Sequence, residues 1–325
     1  MLKRIALALA FAATAAGAAA QSPDAKQVPE EGLSEPNLYE FLLGEIAAQR
    51  GDYKTAAESY LDLAKRTRDP RLARSAVEAA NEGGLTELAL EAARTWQQIE
   101  PQSAQALQVN AALLIAAKRV DEAEPYIEKL LASPGVNLQA GLMQLNRLLA
   151  GNPDKAANLR VVRKVTAKHA DVPQAHFALA QAAAVAGEDA EALKAIRRAE
   201  QMRPDWVDPV LFEAQILQKR SSAQAAKRLG DFVAQNPDST EGRLGYARAL
   251  VLDKRLPEAR TQFESVLAAN PSNPEVVYAV GVLAFQLKDF TVAEKSMEKL
   301  LGMKYRDPDA VRYILGQIAE ERSDW

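Results

Sequence analysis

Imidazole can ligate a metal or carry a proton near neutral pH, so the chemistry of this chain is sought first at its two histidines, His169 and His176. Pro173 lies between them, at what reads as a junction between helices, so they do not share one helix face as a metal pair would. Both read as surface or packing residues. Cysteine is absent, which removes disulfides, thiolate zinc sites and a thiol nucleophile. No glycine-rich phosphate loop, nucleophile elbow or HExxH pair occurs. Carboxylates such as Glu294 and Glu298 stand beside Lys295 and Lys299, the pattern of a solvated helix face with i,i+4 pairs. Trp96 and Trp206 read as filler between helices, with Trp206 partly exposed at a junction after Pro204-Asp205. These residues predict no catalytic group, no metal and no cofactor, and therefore a protein that is not an enzyme. A net charge of −3 gives no basic footprint for nucleic acid.

What the chain does carry is a ruler. Ala56, Ala89, Ala123, Ala156, Ala192, Ala226, Ala259 and Ala293 recur at steps of 33, 34, 33, 36, 34, 33 and 34 residues. A period near 34 predicts stacked helix-turn-helix units, in which each repeat touches only its neighbours. Pro36 to Arg68 serves as the template. Asn37 can cap a first helix, and Leu38, Leu42, Leu43, Ile46 and Ala47 form its apolar stripe. Gly51-Asp52 breaks it. Ala56, Ala57, Tyr60, Leu63 and Ala64 carry the face of the second helix.

Small residues twelve apart, one on each helix, let the two backbones approach. Gly44 pairs in this way with Ala56, Ala111 with Ala123, Ala180 with Ala192, Ala214 with Ala226, Ala247 with Ala259 and Gly281 with Ala293. Pro101, Pro134, Pro204, Pro237 and Pro271 close second helices. Pro153 and Pro257 lie where second helices begin. Gly83-Gly84 marks a turn between helices.

This spacing resembles the tetratricopeptide repeat from Asn37 onward. The family pattern has a small residue at position 8, Ala at 20, a large apolar residue at 24 and Pro at 32. Ala247, Ala259, Phe263 and Pro271 match all four. Two repeats depart: Gln144 and Arg160 stand at positions 8 and 24 of one, and Gly230 at position 24 of another. The resemblance implies an all-α fold, a right-handed superhelix of about eight repeats and an incomplete ninth. First helices then line a concave groove. Its positions 5, 9 and 12 supply Phe41, Phe177, Leu211, Leu244, Arg248, Tyr278, Val282, Phe285 and Tyr313 as partner-binding residues. The Lys and Asn that grip a terminal carboxylate in some members are replaced here by Phe, Glu, Gln and Leu.

A narrower resemblance rests on Leu38 to Arg50, on Thr67-Arg68-Asp69-Pro70, on the Trp96 segment and on Tyr246-Ala247-Arg248. These segments resemble bacterial envelope tetratricopeptide lipoproteins that act as adaptors of a periplasmic carboxyl-terminal processing protease. The resemblance implies a scaffold with a protein or peptide partner, such a protease among them. Alternatives are an assembly factor for envelope polysaccharide or outer-membrane machinery, and the non-catalytic part of a longer enzyme.

The start of the chain reads independently of any family. Lys3 and Arg4 precede an apolar run from Ile5 to Ala16, and Ala18-Ala19-Ala20 supplies small residues for cleavage. This is the pattern of a secretory signal peptide over 1–20, and it predicts a periplasmic protein. Without cysteine there is no lipidation site, and no further segment is apolar for long enough to span a bilayer. Residues 21–36, rich in Pro, Glu and Ser, read as a flexible lead, followed by the repeat array over 37–325. Leu315 to Trp325 repeats the register of Leu43 to Tyr53, so Trp325 would begin another second helix. The register predicts a fragment of a longer reading frame, with Ile314, Leu315 and Ile318 short of a partner.

Overall fold

The computed structural model describes residues 34–322; the expected signal peptide over 1–20, the expected lead up to residue 33, and Trp325 lie outside the described residues. Among the described residues there are seventeen α-helices and no strand. They are α1 (Glu35–Gln49), α2 (Tyr53–Thr67), α3 (Pro70–Glu82), α4 (Thr86–Ile99), α5 (Ala104–Ala116), α6 (Val120–Leu131), α7 (Leu138–Leu149), α8 (Lys155–Ala167), α9 (Pro173–Val185), α10 (Asp189–Met202), α11 (Val207–Gln218), α12 (Ser222–Gln235), α13 (Thr240–Leu252), α14 (Leu256–Ala269), α15 (Pro274–Gln286), α16 (Phe290–Gly302) and α17 (Pro308–Arg322). The chain divides into two compact units, one ending at Ala186 and one beginning at Gly187.

Local chemistry explains the starts of these helices. Asp52, Asp69, Ser103, Asn137, Asp154, Ser221, Ser239, Asn273 and Asp289 each accept a backbone N–H of the turn that follows. Each such cap contributes about 1 kcal/mol. Helix α1 begins earlier than the pattern predicts. Ser34, not Asn37, is its cap, and Pro36 sits in its first turn. Pro153 lies in the turn before α8, whose cap is Asp154, whereas Pro257 stands in the first turn of α14.

One core cluster of the first unit, around α1 to α4, is built mainly of small side chains. Ala47, Ala56, Ala57, Ala76, Ala80, Ala89 and Ala93 pack with Tyr60 and Leu61. A Cβ on Gly44 would stand 2.9 Å from the Tyr60 ring, so the seam between α1 and α2 requires glycine. The Tyr60 hydroxyl donates to Glu45 at 2.8 Å, and burial together with that carboxylate pushes its ionisation up. The stripe expected on α1 is corrected here: Leu38, Leu42, Leu43 and Ile46 face outward with Tyr39, while Gly44 and Ala47 face inward. Such a stripe on a first helix rests on the second helix of a preceding repeat, and no described helix precedes α1.

The ruler also needs one correction. Ala156 is exposed and Ala157 is buried in its place; Leu145, not Gln144, takes the inward position of α7. The cause is the turn between them. Asn152 and Asn158 are buried there, with Asn152 Nδ2 donating to Asn158 Oδ1 at 2.8 Å and Asn158 Nδ2 donating to the Leu149 carbonyl at 3.0 Å. Helix α8 then packs chiefly on α6 and α9. Its position-24 residue, Arg160, points to solvent and pairs with Asp121 of α6 at 2.9 Å; Lys164 pairs with Glu124 and Lys168 with Glu128 one and two turns on.

In the second unit Ala226, Ala259 and Ala293 are fully buried, as the period requires. The glycine at position 24, Gly230, is filled from outside: a Cβ there would lie 3.1 Å from the Tyr246 ring. Trp206 is buried rather than partly exposed, and its indole N–H donates to Asp208 at 2.7 Å. Ile314 and Ile318 are not without partners, because they turn back onto the core beside Met297 and Leu300 of α16. Arg228 of α12 bridges two carboxylates, Glu200 of α10 and Glu213 of α11, each at 2.5 Å. Burial pushes the Glu200 carboxyl above its ordinary range despite Arg228.

Two outcomes follow for stability. A Cβ on Gly281 would stand 2.5 Å from the Met297 methyl and 2.9 Å from Ser296 Cβ. Gly281→Leu should therefore lower the unfolding free energy by about 1–3 kcal/mol. Gly316, which has nothing within 4 Å, should by contrast gain about 0.5–1 kcal/mol on Gly316→Ala. Urea titrations of both variants check this. Because Glu200 is raised in the folded state, its contribution to stability is greatest at low pH and is lost as pH rises. The stability of Glu200→Gln relative to the parent should thus be more favourable at about pH 7 than at about pH 4.

Candidate partner-binding groove

Side chains four apart on a helix share one face. On α13 this places Leu244, Arg248 and Leu252 in a row, and on the next first helix, α15, it aligns Tyr278, Val282 and Gln286. The two rows border a mainly apolar pocket of about 610 Å³, closed below by Phe263 of α14. Leu252 is 59% exposed, so an apolar wall faces water. Four residues expected from the sequence meet here: Leu244, Arg248, Tyr278 and Val282.

The pocket is braced from one side. Tyr278 stacks on Tyr305 with ring centroids 5.4 Å apart and planes 15° from parallel. The Tyr305 hydroxyl donates to Glu275 at 3.4 Å, and Arg306 pairs with the same carboxylate at 3.6 Å. Glu275 also lines the pocket, so its charge is already engaged. Arg248 is exposed and has no ion-pair partner among the described residues.

The other expected groove residues lie elsewhere. Phe177 is corrected outright: it is 4% exposed and belongs to the core of the first unit. Its neighbours Ala175, Ala178 and Ala180 are small and fully buried, so the larger ring is drawn inward to fill the space. Phe41 leans on Tyr60, with centroids 6.3 Å apart. Leu211 of α11 packs over Gly245, where α13 presents no side chain. Phe285 meets Phe290 across the seam between α15 and α16, at 6.0 Å. Tyr313 is 68% exposed on α17, its hydroxyl accepting from Gln317 at 3.2 Å. Val251, Leu252 and Phe263 are pocket residues that the sequence reading missed. Continuing the four-residue spacing from Leu244 and Arg248 by one step would have named Leu252.

Elsewhere, His176 Nε2 lies 2.9 Å from the Ala170 carbonyl, and Trp96 is buried with its N–H donating to Glu100 at 2.8 Å. Among the described residues no group of His, Asp or Glu could hold a metal, and no helix is long and apolar enough to cross a membrane.

Comparison with known proteins agrees with this architecture. Two tetratricopeptide repeat models match, over residues 137–206 and 217–283. Over these two segments the helical array is similar to tetratricopeptide repeats. A relative named TPR repeat-containing protein PA4667, from Pseudomonas aeruginosa, is 28% identical over 227 residues, 69% of this chain. The chain spans 38% of the length of that relative. Among solved structures, MamA from Desulfovibrio magneticus RS-1 is 17% identical with a TM-score of 0.41, covering 53% of this chain and 98% of its own. YrrB, described as a TPR protein with an unusual peptide-binding site, is 17% identical with a TM-score of 0.40, covering 62% and 97%. Yeast Tom70 is 13% identical with a TM-score of 0.37, covering 89% and 73%.

The position of Phe177 in the core of the first unit sets an expectation for mutagenesis. Phe177→Ala should lower the unfolding free energy by about 3–5 kcal/mol. Tyr278→Ala, at a half-buried groove position, should cost far less. Guanidinium titrations of the two variants separate core from groove.

Proposed function

We propose that this chain is an exported scaffold that binds a protein partner, and that the pocket between α13 and α15 seats one of the partner's apolar side chains. Tetratricopeptide arrays bind protein or peptide partners. One observation carries the reading to this site: the structure brings four groove residues of two successive first helices around a single apolar pocket whose wall is open to water. Burying one large apolar side chain contributes about 1.5–3 kcal/mol. Association and ordering costs exceed that, so the partner must also make contacts along neighbouring first helices.

Export to the periplasm is supported by the basic, apolar and small-residue order of the first twenty residues. The resemblance of Leu38 to Arg50, Thr67 to Pro70 and Tyr246 to Arg248 supports an adaptor of a periplasmic processing protease. Both parts are open to one experiment in intact cells. A photo-crosslinking amino acid at Val282 should capture a protein, and the same probe at Ser265, on the exposed side of α14, should not. A processing protease as the captured protein supports the adaptor role, and a different envelope protein refutes it. Equal capture at both positions sinks the pocket as a binding site.

A further inference from the structure

We infer that the ligand of the α13–α15 pocket is a peptide segment with an apolar side chain and a carboxylate one or two residues away. The inference rests on the reading of this pocket as a protein-binding site. Its ground is charge complementarity. Several arginines of the second unit are committed to carboxylates within the protein. Arg228 holds Glu200 and Glu213. Arg255 holds Glu258 at 2.6 Å, Arg260 holds Glu264 and Asp289 at 2.7 and 2.8 Å, and Arg322 holds Glu294 at 2.7 Å. The carboxylate of the pocket itself, Glu275, is engaged by Arg306 and by the Tyr305 hydroxyl.

Arg248 is the exception on the pocket wall. Its guanidinium has no described carboxylate in reach, and it stands one helical turn from Leu244 and one from Leu252. The pocket therefore presents apolar surface on both sides of one uncompensated positive charge. A guanidinium offers a planar fork that matches a carboxylate with two parallel hydrogen bonds. Residues in an extended chain advance by about 3.3 Å each. An apolar side chain seated against Tyr278 and Val282 thus brings the carboxylate of a nearby residue to Arg248. A cationic ligand would meet Arg248 as a like charge and find Glu275 already paired. The recognition element is one internal acidic side chain beside an apolar anchor, and no second cation of the pocket is needed.

The test is selection of a random peptide-display library on the full chain, on Arg248→Glu and on Val282→Glu. Arg248 is exposed and makes no hydrogen bond or ion pair among the described residues, so circular dichroism should show an unchanged fold in its variant. The expected result is enrichment of an apolar residue with Asp or Glu within two positions on the parent. On Arg248→Glu the acidic preference should give way to Lys or Arg. A synthetic peptide from the parent selection should bind Arg248→Glu at least roughly fivefold more weakly, about 1 kcal/mol. Enriched peptides that lose binding to Val282→Glu, but show no acidic preference or show the same one on Arg248→Glu, overturn this inference and leave the pocket reading standing. Peptides that bind Val282→Glu as well as the parent, or no enrichment at all, overturn the pocket reading and this inference with it.

Discussion

Close approach of two helix backbones over residues with little or no side chain is the constraint on which the rest of this structure depends. At Gly44 and Tyr60, and at Gly281 and Met297, a single added carbon would collide with the facing helix. Where the seam is this tight, each hairpin presents a narrow small-residue face inward and leaves its larger apolar residues for the next helix in line. Ala56, Ala226, Ala259 and Ala293 are buried to completeness for the same reason.

The seam between α7 and α8 shows what replaces close apolar contact where it slips. Between α7 and α8 the small-residue register slips by a residue, and buried asparagines take over the turn. Helix α8 then depends on α6, to which three exposed ion pairs tie it in register. Such pairs add little energy each, but Arg160, Lys164 and Lys168, spaced by four, meet Asp121, Glu124 and Glu128, spaced by three and four, and so match one helix face to another. Polar satisfaction and charge register here do the positioning that close apolar contact does elsewhere.

Function is built on the same economy of side chains. Because small residues fill the seams, the outward rows of α13 and α15 are left with Leu244, Leu252, Tyr278 and Val282 at a shared opening. The Tyr278–Tyr305 stack holds the wall in place, and Arg306 with Tyr305 neutralises the one acid beside it. What the pocket then offers a partner is apolar area and the charge of Arg248.

The repeat period, most of the small-residue seams and the row Leu244, Arg248, Tyr278, Val282 were legible in the sequence, because they follow from helical spacing within one or two repeats; the cap of α1 was not, since Ser34 takes it in place of Asn37. The direction of Phe177, of the α1 stripe and of Ile314 and Ile318 was not. Each depends on how much room the neighbouring helices leave, and a residue's own periodicity is the same whether it faces a groove or a core. The slip at Ala156 belongs to the same class, since buried asparagine hydrogen bonds, not hydrophobic spacing, decide that turn. Sequence alone determined that this chain is built of successive helix hairpins with a period near 34 residues. Only the tertiary structure decided which of the outward residues share an opening, because that depends on contacts between helices that no local pattern records.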